Sequence, residues 1–355
     1  MTRWFNVAGP CRSDIHYMLP ATERLPDVMR LIAQQSYFVL HAPRQTGKTT
    51  AMLSLAQELT ASGQWTAALL SVEVGAPFSA DLDMAEWAIL NAWRGTTEWQ
   101  IPTTLQPPLW PASEVGRRVG AALSAWSQVA SRPLVLFLDE IDALQDVVLL
   151  SILRQLRDGY PGRPHAFPHA LALIGLRDVR DYKVASGGSD SLTTASPFNI
   201  KTRSLTMGDF RASDVRDLYA QHTVDTGQIF TSDAIAHAFV LTQGQPWLVN
   251  ALAKVAVEEL APDPSITITP AIMNHAKDVL IQRQDTHLDS LADRLREPRV
   301  RAIIEPLLAG IVPAELPADD VQFVQDLGLV RMDPQVGLVI ANPIYAAVIP
   351  RNLTH

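Results

Sequence analysis

Apolar residues in the first 206 positions of the chain cluster in short, unbroken runs. They fall at Tyr37–Leu40, Leu134–Leu138 and Ala170–Leu176, with a nearly continuous one at Trp65–Val72, and the more polar Ile200–Leu205 is expected to close the sheet as a fifth strand. Runs of this length without strict alternation read as strands buried on both faces, the signature of a parallel sheet covered by helices. The stretches between them carry helical spacing. Met52, Leu53, Leu55, Ala56 and Leu59 recur on one face before Gly63 stops the helix, and Val147 to Arg157 is amphipathic. Alternating strands and helices predict an α/β architecture.

From Asp209 the pattern becomes helical throughout. Thr231 caps a helix that runs through Leu241 with Gly244 as its stop, Pro246 opens another through Leu260, and Thr269-Pro270 opens a third. After Arg299 come helices at Val300–Leu308 and Ala318–Asp326, then Leu329–Arg331, a turn at Asp333-Pro334, and Gly337–Ile340. Two helices followed by a hairpin is a winged-helix order. The expected division is a sheet core over 1–206, a helical domain over 207–297 and a winged helix over 298–355. The core carries a less regular insertion at about 75–131, holding Trp87, Trp93, Trp99, Trp110 and Trp126 and the Pro-rich piece QPPLWP. These tryptophans suit either the packing of an inserted helical segment or a partner surface.

Composition narrows the classes. With 47% hydrophobic and 19% charged residues the chain is globular in type. No apolar run reaches the roughly 18 residues of a membrane span. The start MTRWFNVAGPCRSD lacks the apolar stretch of a secretory signal, so a cytoplasmic location is expected. Cys11 is the single cysteine, which excludes an intrachain disulfide and a cysteine-rich zinc site. His165 and His169 stand four apart, but the neighbouring prolines forbid the helix that would pair them as metal ligands. The formal charge of −8 offers no general attraction for polyanions. The second helix of the winged-helix segment carries Asp319, Asp320 and Asp326 and no Lys or Arg, which disfavours its reading DNA.

The candidate chemistry lies at strand ends. After Tyr37–Leu40 comes Ala42-Pro43-Arg44-Gln45-Thr46-Gly47-Lys48-Thr49-Thr50, leading into a helix. This fits the phosphate-loop pattern G-x-x-x-x-G-K-[ST] except that Ala42 takes the first glycine's place. Backbone N–H groups around Gly47 and the helix start are suited to cradle phosphate oxygens. Lys48 is suited to reach the β- and γ-phosphates, and the Thr49 hydroxyl to ligate Mg²⁺. About ninety residues on, Leu134–Leu138 ends in Asp139-Glu140-Ile141-Asp142. Carboxylates at the tip of a central strand lie where open α/β sheets keep their ligands. Asp139 is the candidate metal holder and Glu140 the candidate for polarising an attacking water, with Asp142 next in line as the base. Arg177, at the tip of the following strand, is either a γ-phosphate contact or a salt-bridge partner of Asp178 or Asp181.

Taken together, HAPRQTGKTT, LFLDEID, SPFNI at 196–200, TQGQPWLV at 242–249 and NPIYAAVIPR at 342–351 resemble the bacterial AAA-like ATP-binding proteins related to the STAND and archaeal-type ATPases. The resemblance covers nearly the whole chain. It implies a P-loop NTPase core of the additional-strand AAA-like kind, a helical lid and a C-terminal winged helix, with ATP or ADP and Mg²⁺ as ligands. On the resemblance, Lys48, Thr49, Asp139 and Glu140 carry the Walker A and Walker B roles, and Arg177 resembles the arginine after the fourth strand of STAND proteins. Gly244-Gln245-Pro246 resembles the lid motif whose proline packs near the nucleotide, and Tyr17, within His16–Pro20, falls where such families cover the adenine. Arg154, Arg157 and Arg163 stand where AAA proteins often supply an arginine in trans. NPIY occupies the place of an MHD-type motif. The implied role is an ATP-hydrolysing switch with a protein partner or self-assembly; an oligomeric motor or loader and a nucleotide-holding scaffold are the alternatives.

Overall fold

In the computed structural model, residues 3–176, 200–283, 294–311 and 316–353 are described. The chain divides into two compact units. One comprises Pro20–Ala42 and Lys48–Met207; the other comprises Met1–Leu19, Pro43–Gly47 and Gly208–His355.

The first unit is a three-layer α/β sandwich. Its strands are β1 (Tyr37–His41), β2 (Thr66–Ser71), β3 (Leu134–Asp139), β4 (Ala170–Gly175) and β5 (Lys201–Thr206), in the spatial order β2-β3-β4-β1-β5. All four pairings are parallel, with Val39 opposite Leu173 and Phe137 opposite Ala172. The additional strand β4 therefore separates β1 from β3. Side chains alternate across the pleat. Leu134, Leu136 and Leu138 face one layer, containing α3 (Leu82–Gln100), α4 (Arg118–Val129) and α5 (Asp146–Gly159). Val135 and Phe137 face the other, containing α1 (Val28–Ala33) and α2 (Lys48–Ala61). Both faces are dry, which is why β3 and β4 are apolar along almost their whole length.

The segment 75–131 is more regular than its sequence suggested. Asp81 caps the 19-residue α3 by accepting from Met84 N–H, and Trp93 and Trp126 are completely buried. Their indole N–H groups donate to Ser71 O and Leu105 O, so these two tryptophans pack the core, whereas Trp87 and Trp99 are exposed. Glu86 on α3 is fully buried, and it accepts from Gly116 N–H and Gln155 Nε2.

The second unit contains α6 (Ala212–Thr226), α7 (Ser232–Thr242), α8 (Pro246–Val255), α9 (Pro270–Arg283), α10 (Pro298–Leu308), α11 (Ala318–Asp326), the hairpin β6 (Val330–Asp333) and β7 (Gly337–Ile340), and α12 (Pro343–Leu353). The expected long helix from Pro246 changes hydrogen-bond pattern at Ala256 and finishes as a π turn through Leu260. Helices α10 and α11 with the antiparallel hairpin form the winged helix. The helical and winged-helix segments share a single hydrophobic core, from Val215 to Ile349, and residues 1–19 join that core through Phe5 and Tyr17. Arg3 pairs with Asp225, and Trp247 Nε1 donates to Val7 O at 2.8 Å. Among the described residues no helix is long and apolar enough to cross a membrane.

Candidate nucleotide site

At the C-terminal edge of the sheet, Ala42 N–H donates to Gly175 O, which extends the β1–β4 ladder by one residue. Lys48 opens α2, and its Nζ donates back to Ala42 O at 2.8 Å. Thr49, one residue on, donates from Oγ1 to Asp139 Oδ2 at 2.7 Å, which ties the first turn of α2 to the end of β3. The other Asp139 oxygen accepts from Glu140 N–H at 3.0 Å. Glu140 has a left-handed backbone, with φ +57°, a conformation non-glycine residues adopt at a cost of about 1–3 kcal/mol. The turn redirects the chain from the strand into the short 3₁₀ turn Ile141–Ala143.

Burial pushes the Asp139 carboxyl above the ordinary aspartate range, against the Thr49 hydroxyl, the Glu140 N–H and the Lys48 charge that favour its ionised form. The Glu140 carboxyl is pushed up first by burial, then by the charges of Asp139 and Asp142, with Lys48 opposing and Glu73 adding a further push. A buried acid beside a half-buried one is expensive as a pair of anions unless a cation compensates them. A hydroxyl and carboxylates form a hard-oxygen donor set, so Thr49 and Asp139 fit Mg²⁺, a cation that prefers one or two protein oxygens with water and phosphate completing its shell.

Residues 43–47 belong to the second unit. Gln45 (φ +59°) and Gly47 (φ +89°) are both left-handed, and such alternation turns successive N–H groups toward one side as an anion-binding concavity. Thr46 is buried and its hydroxyl donates to Pro43 O at 2.9 Å, while Arg44 and Gln45 are exposed. Gln45 O receives Gln245 Nε2 at 3.4 Å, and Pro43 lies so close to Gly328 that a Cβ there would come within 2.7 Å of it.

The other expected residues are distributed as follows. Thr50 sits half-buried in the first turn of α2. Pro246 is the buried first residue of α8, and its carbonyl accepts from Asn250 Nδ2. Tyr17 is 1% exposed, its ring is 4.8 Å from that of Phe5 and 5.6 Å from that of His222, and Arg3 lies over it. Arg177 and most of the SPFNI stretch lie outside the described residues. Arg163 donates to Gln35 O and Tyr160 O and stacks on Tyr160, so it serves its own unit; Arg154 and Arg157 are exposed.

Sequence reasoning missed Gln245, whose Oε1 caps α8 by accepting Leu248 N–H while its Nε2 reaches Gln45 O. The helix-opening Pro246 marked the position of that cap, but glutamine is not among the usual capping residues, so its role carried no sequence signal. Glu73 was also missed, because only the folding of the chain beyond β2 brings its charge to bear on Glu140.

The chain is similar to the solved structure of a Walker-type ATPase of Pyrococcus abyssi, with a TM-score of 0.64 at 12% identity over 98% of this chain and 99% of that one. It is also similar to the ORC2 protein of Aeropyrum pernix in ADPNP-ADP complexes, with a TM-score of 0.50 at 13% identity over 99% and 97%. No family model matches the chain, and no curated protein matches it in sequence. The fold is that of an AAA-like P-loop ATPase. Identities this low establish architecture alone.

Proposed function

We propose that this protein binds Mg-ATP and hydrolyses its β–γ phosphoanhydride bond, acting as a regulatory switch of STAND-like type that couples turnover to domain rearrangement and partner binding. The observation that carries the reading is the 2.7 Å bond from Thr49 to Asp139, with Lys48 on one side of it and Glu140 on the other. Few structural needs explain a lysine, a hydroxyl, a buried acid and a half-buried one converging at the tip of a parallel sheet. A triphosphate with its cation explains all four.

In this reading the N–H groups of 43–47 and the start of α2 hold the β- and γ-phosphates, and Lys48 exchanges its bond to Ala42 O for a phosphate oxygen. Thr49 and Asp139 would hold Mg²⁺, which would supply charge neutralisation to the phosphates. Glu140 orients the attacking water and takes up its proton, a task suited to a carboxylate whose proton affinity burial has raised. Arg177 is assigned to the γ-phosphate and Pro246 to the nucleoside end. The partner is assigned as a protein: α11 has Asp319 exposed and carries no basic residue, a poor surface for a phosphate backbone.

Lys48→Ala is expected to weaken ATP binding at least a hundredfold by calorimetry, and tight binding by that variant would remove the phosphate-loop assignment. Glu140→Gln is expected to bind ATP normally and to turn it over at least a hundredfold more slowly. The hydrolysis rate per chain should stay flat as protein concentration rises, whereas a climbing rate would favour an assembling motor.

A further inference from the structure

Asp142 belongs to the same acidic strand end as Asp139 and Glu140, and its sequence position makes it a candidate second base. Its geometry gives it other work. The left-handed turn at Glu140 and the 3₁₀ turn that follows carry Asp142 toward the neighbouring strand, where its Oδ1 accepts from Leu176 N–H at 3.3 Å. Leu176 is the first residue beyond β4, and its N–H no longer has a strand partner to bond. The carbonyl just before it, Gly175 O, accepts from Ala42 N–H, and Ala42 O in turn accepts from Lys48 Nζ. A continuous line of hydrogen bonds thus runs from the turn that carries Glu140, across the end of β4, to the residue that opens α2.

We infer that Asp142 is a positioning residue for hydrolysis: by accepting Leu176 N–H it fixes the exit of β4 against the Glu140 turn. Two properties support this over a base. The carboxylate is half-buried and already accepts a backbone donor. The residue it restrains immediately precedes Arg177 in the chain. Water-orienting groups tolerate little displacement, so a strut two residues from Glu140 bears on rate more than on binding.

The inference rests on the ATPase reading, and its test separates the two. Asp142→Ala removes the acceptor; Asp142→Asn keeps an oxygen at the same place and removes the charge and any basicity. The full-length variants are compared in steady-state ATP hydrolysis, in ATP affinity by calorimetry and in hydrogen exchange of the Leu176 amide by NMR. We expect Asp142→Ala to lower kcat about tenfold with KM and ATP affinity within about twofold, and to speed Leu176 exchange at least tenfold; we expect Asp142→Asn to restore both to within about threefold. If Asn proves as damaging to kcat as Ala while Leu176 stays protected, Asp142 is a base and the inference is overturned. If Leu176 exchange is unchanged in Asp142→Ala, the strut is overturned. An absence of hydrolysis in the wild-type chain would defeat the ATPase reading instead, and the exchange result would still decide whether Asp142 holds the end of β4.

Discussion

The turn into α2 and the turn into α8 both set residues at positive φ, Gln45 and Gly47 in the first, Gln243 and Gly244 in the second. Yet they treat glycine differently. In the first, the glycine usual at the start of a phosphate loop is Ala42, and this residue is not among the non-glycine positions with positive φ. Its N–H continues the β1–β4 ladder and its methyl is buried, so the position is still strand-like and a Cβ fits. In the second, Gly244 has φ +80°, and a Cβ there would lie 1.9 Å from Phe210 O; its own carbonyl accepts from Phe210 N–H at 2.9 Å. A pattern's glycine is dispensable where the backbone is ordinary and space exists. It is fixed where backbone meets backbone.

That contrast can be broken most severely at Gly244. Gly244→Ala should lower stability by more than about 3 kcal/mol, since neither carbonyl nor turn can yield cheaply. Thermal unfolding within a degree or two of wild type would show the close approach to be soft. Gly47→Ala should cost an intermediate amount, about 1–2 kcal/mol from its left-handed backbone, together with weaker ATP binding in calorimetry. An unchanged affinity would mean the loop's N–H groups do not depend on that conformation. Ala42→Gly should do least, costing about 0.4–1 kcal/mol through unfolded-state entropy and leaving ATP affinity alone. A gain in affinity would mean the methyl does obstruct the phosphates.

The sheet was legible because each buried strand is a short apolar run closed by turn or acidic residues, and Leu134–Asp139 shows this most plainly. Helix α3 was not, although Asp81 as a cap and Ala85, Ile89, Trp93 and Thr97 on one buried face are helical signals. Gly75, Pro77 and the Trp- and Pro-rich stretch around it obscured them. The placement of residues 1–19 could not be read at all. Contacts such as Arg3 with Asp225 and Gln221 Nε2 with Met18 O join positions more than two hundred apart, and no local pattern encodes them. Of the candidate site, what the spacing of two motifs made legible is the pairing of the first turn of α2 with the end of β3, where Thr49 meets Asp139. The aromatic cluster that encloses Tyr17 could not be read from its motif position.

The strand order β2-β3-β4-β1-β5 has a mechanical side. Strand β1, which leads into the phosphate loop, is laddered on both flanks, so it cannot peel from the sheet without breaking two sets of hydrogen bonds. The rims are β2 and β5, and β5 presents Lys201 and Arg203, the latter paired with Asp27, a charged border that discourages a foreign strand from adding on. Fraying and aggregation are thereby confined to the margins, and the amides of β1 should be among the last in the unit to exchange with solvent.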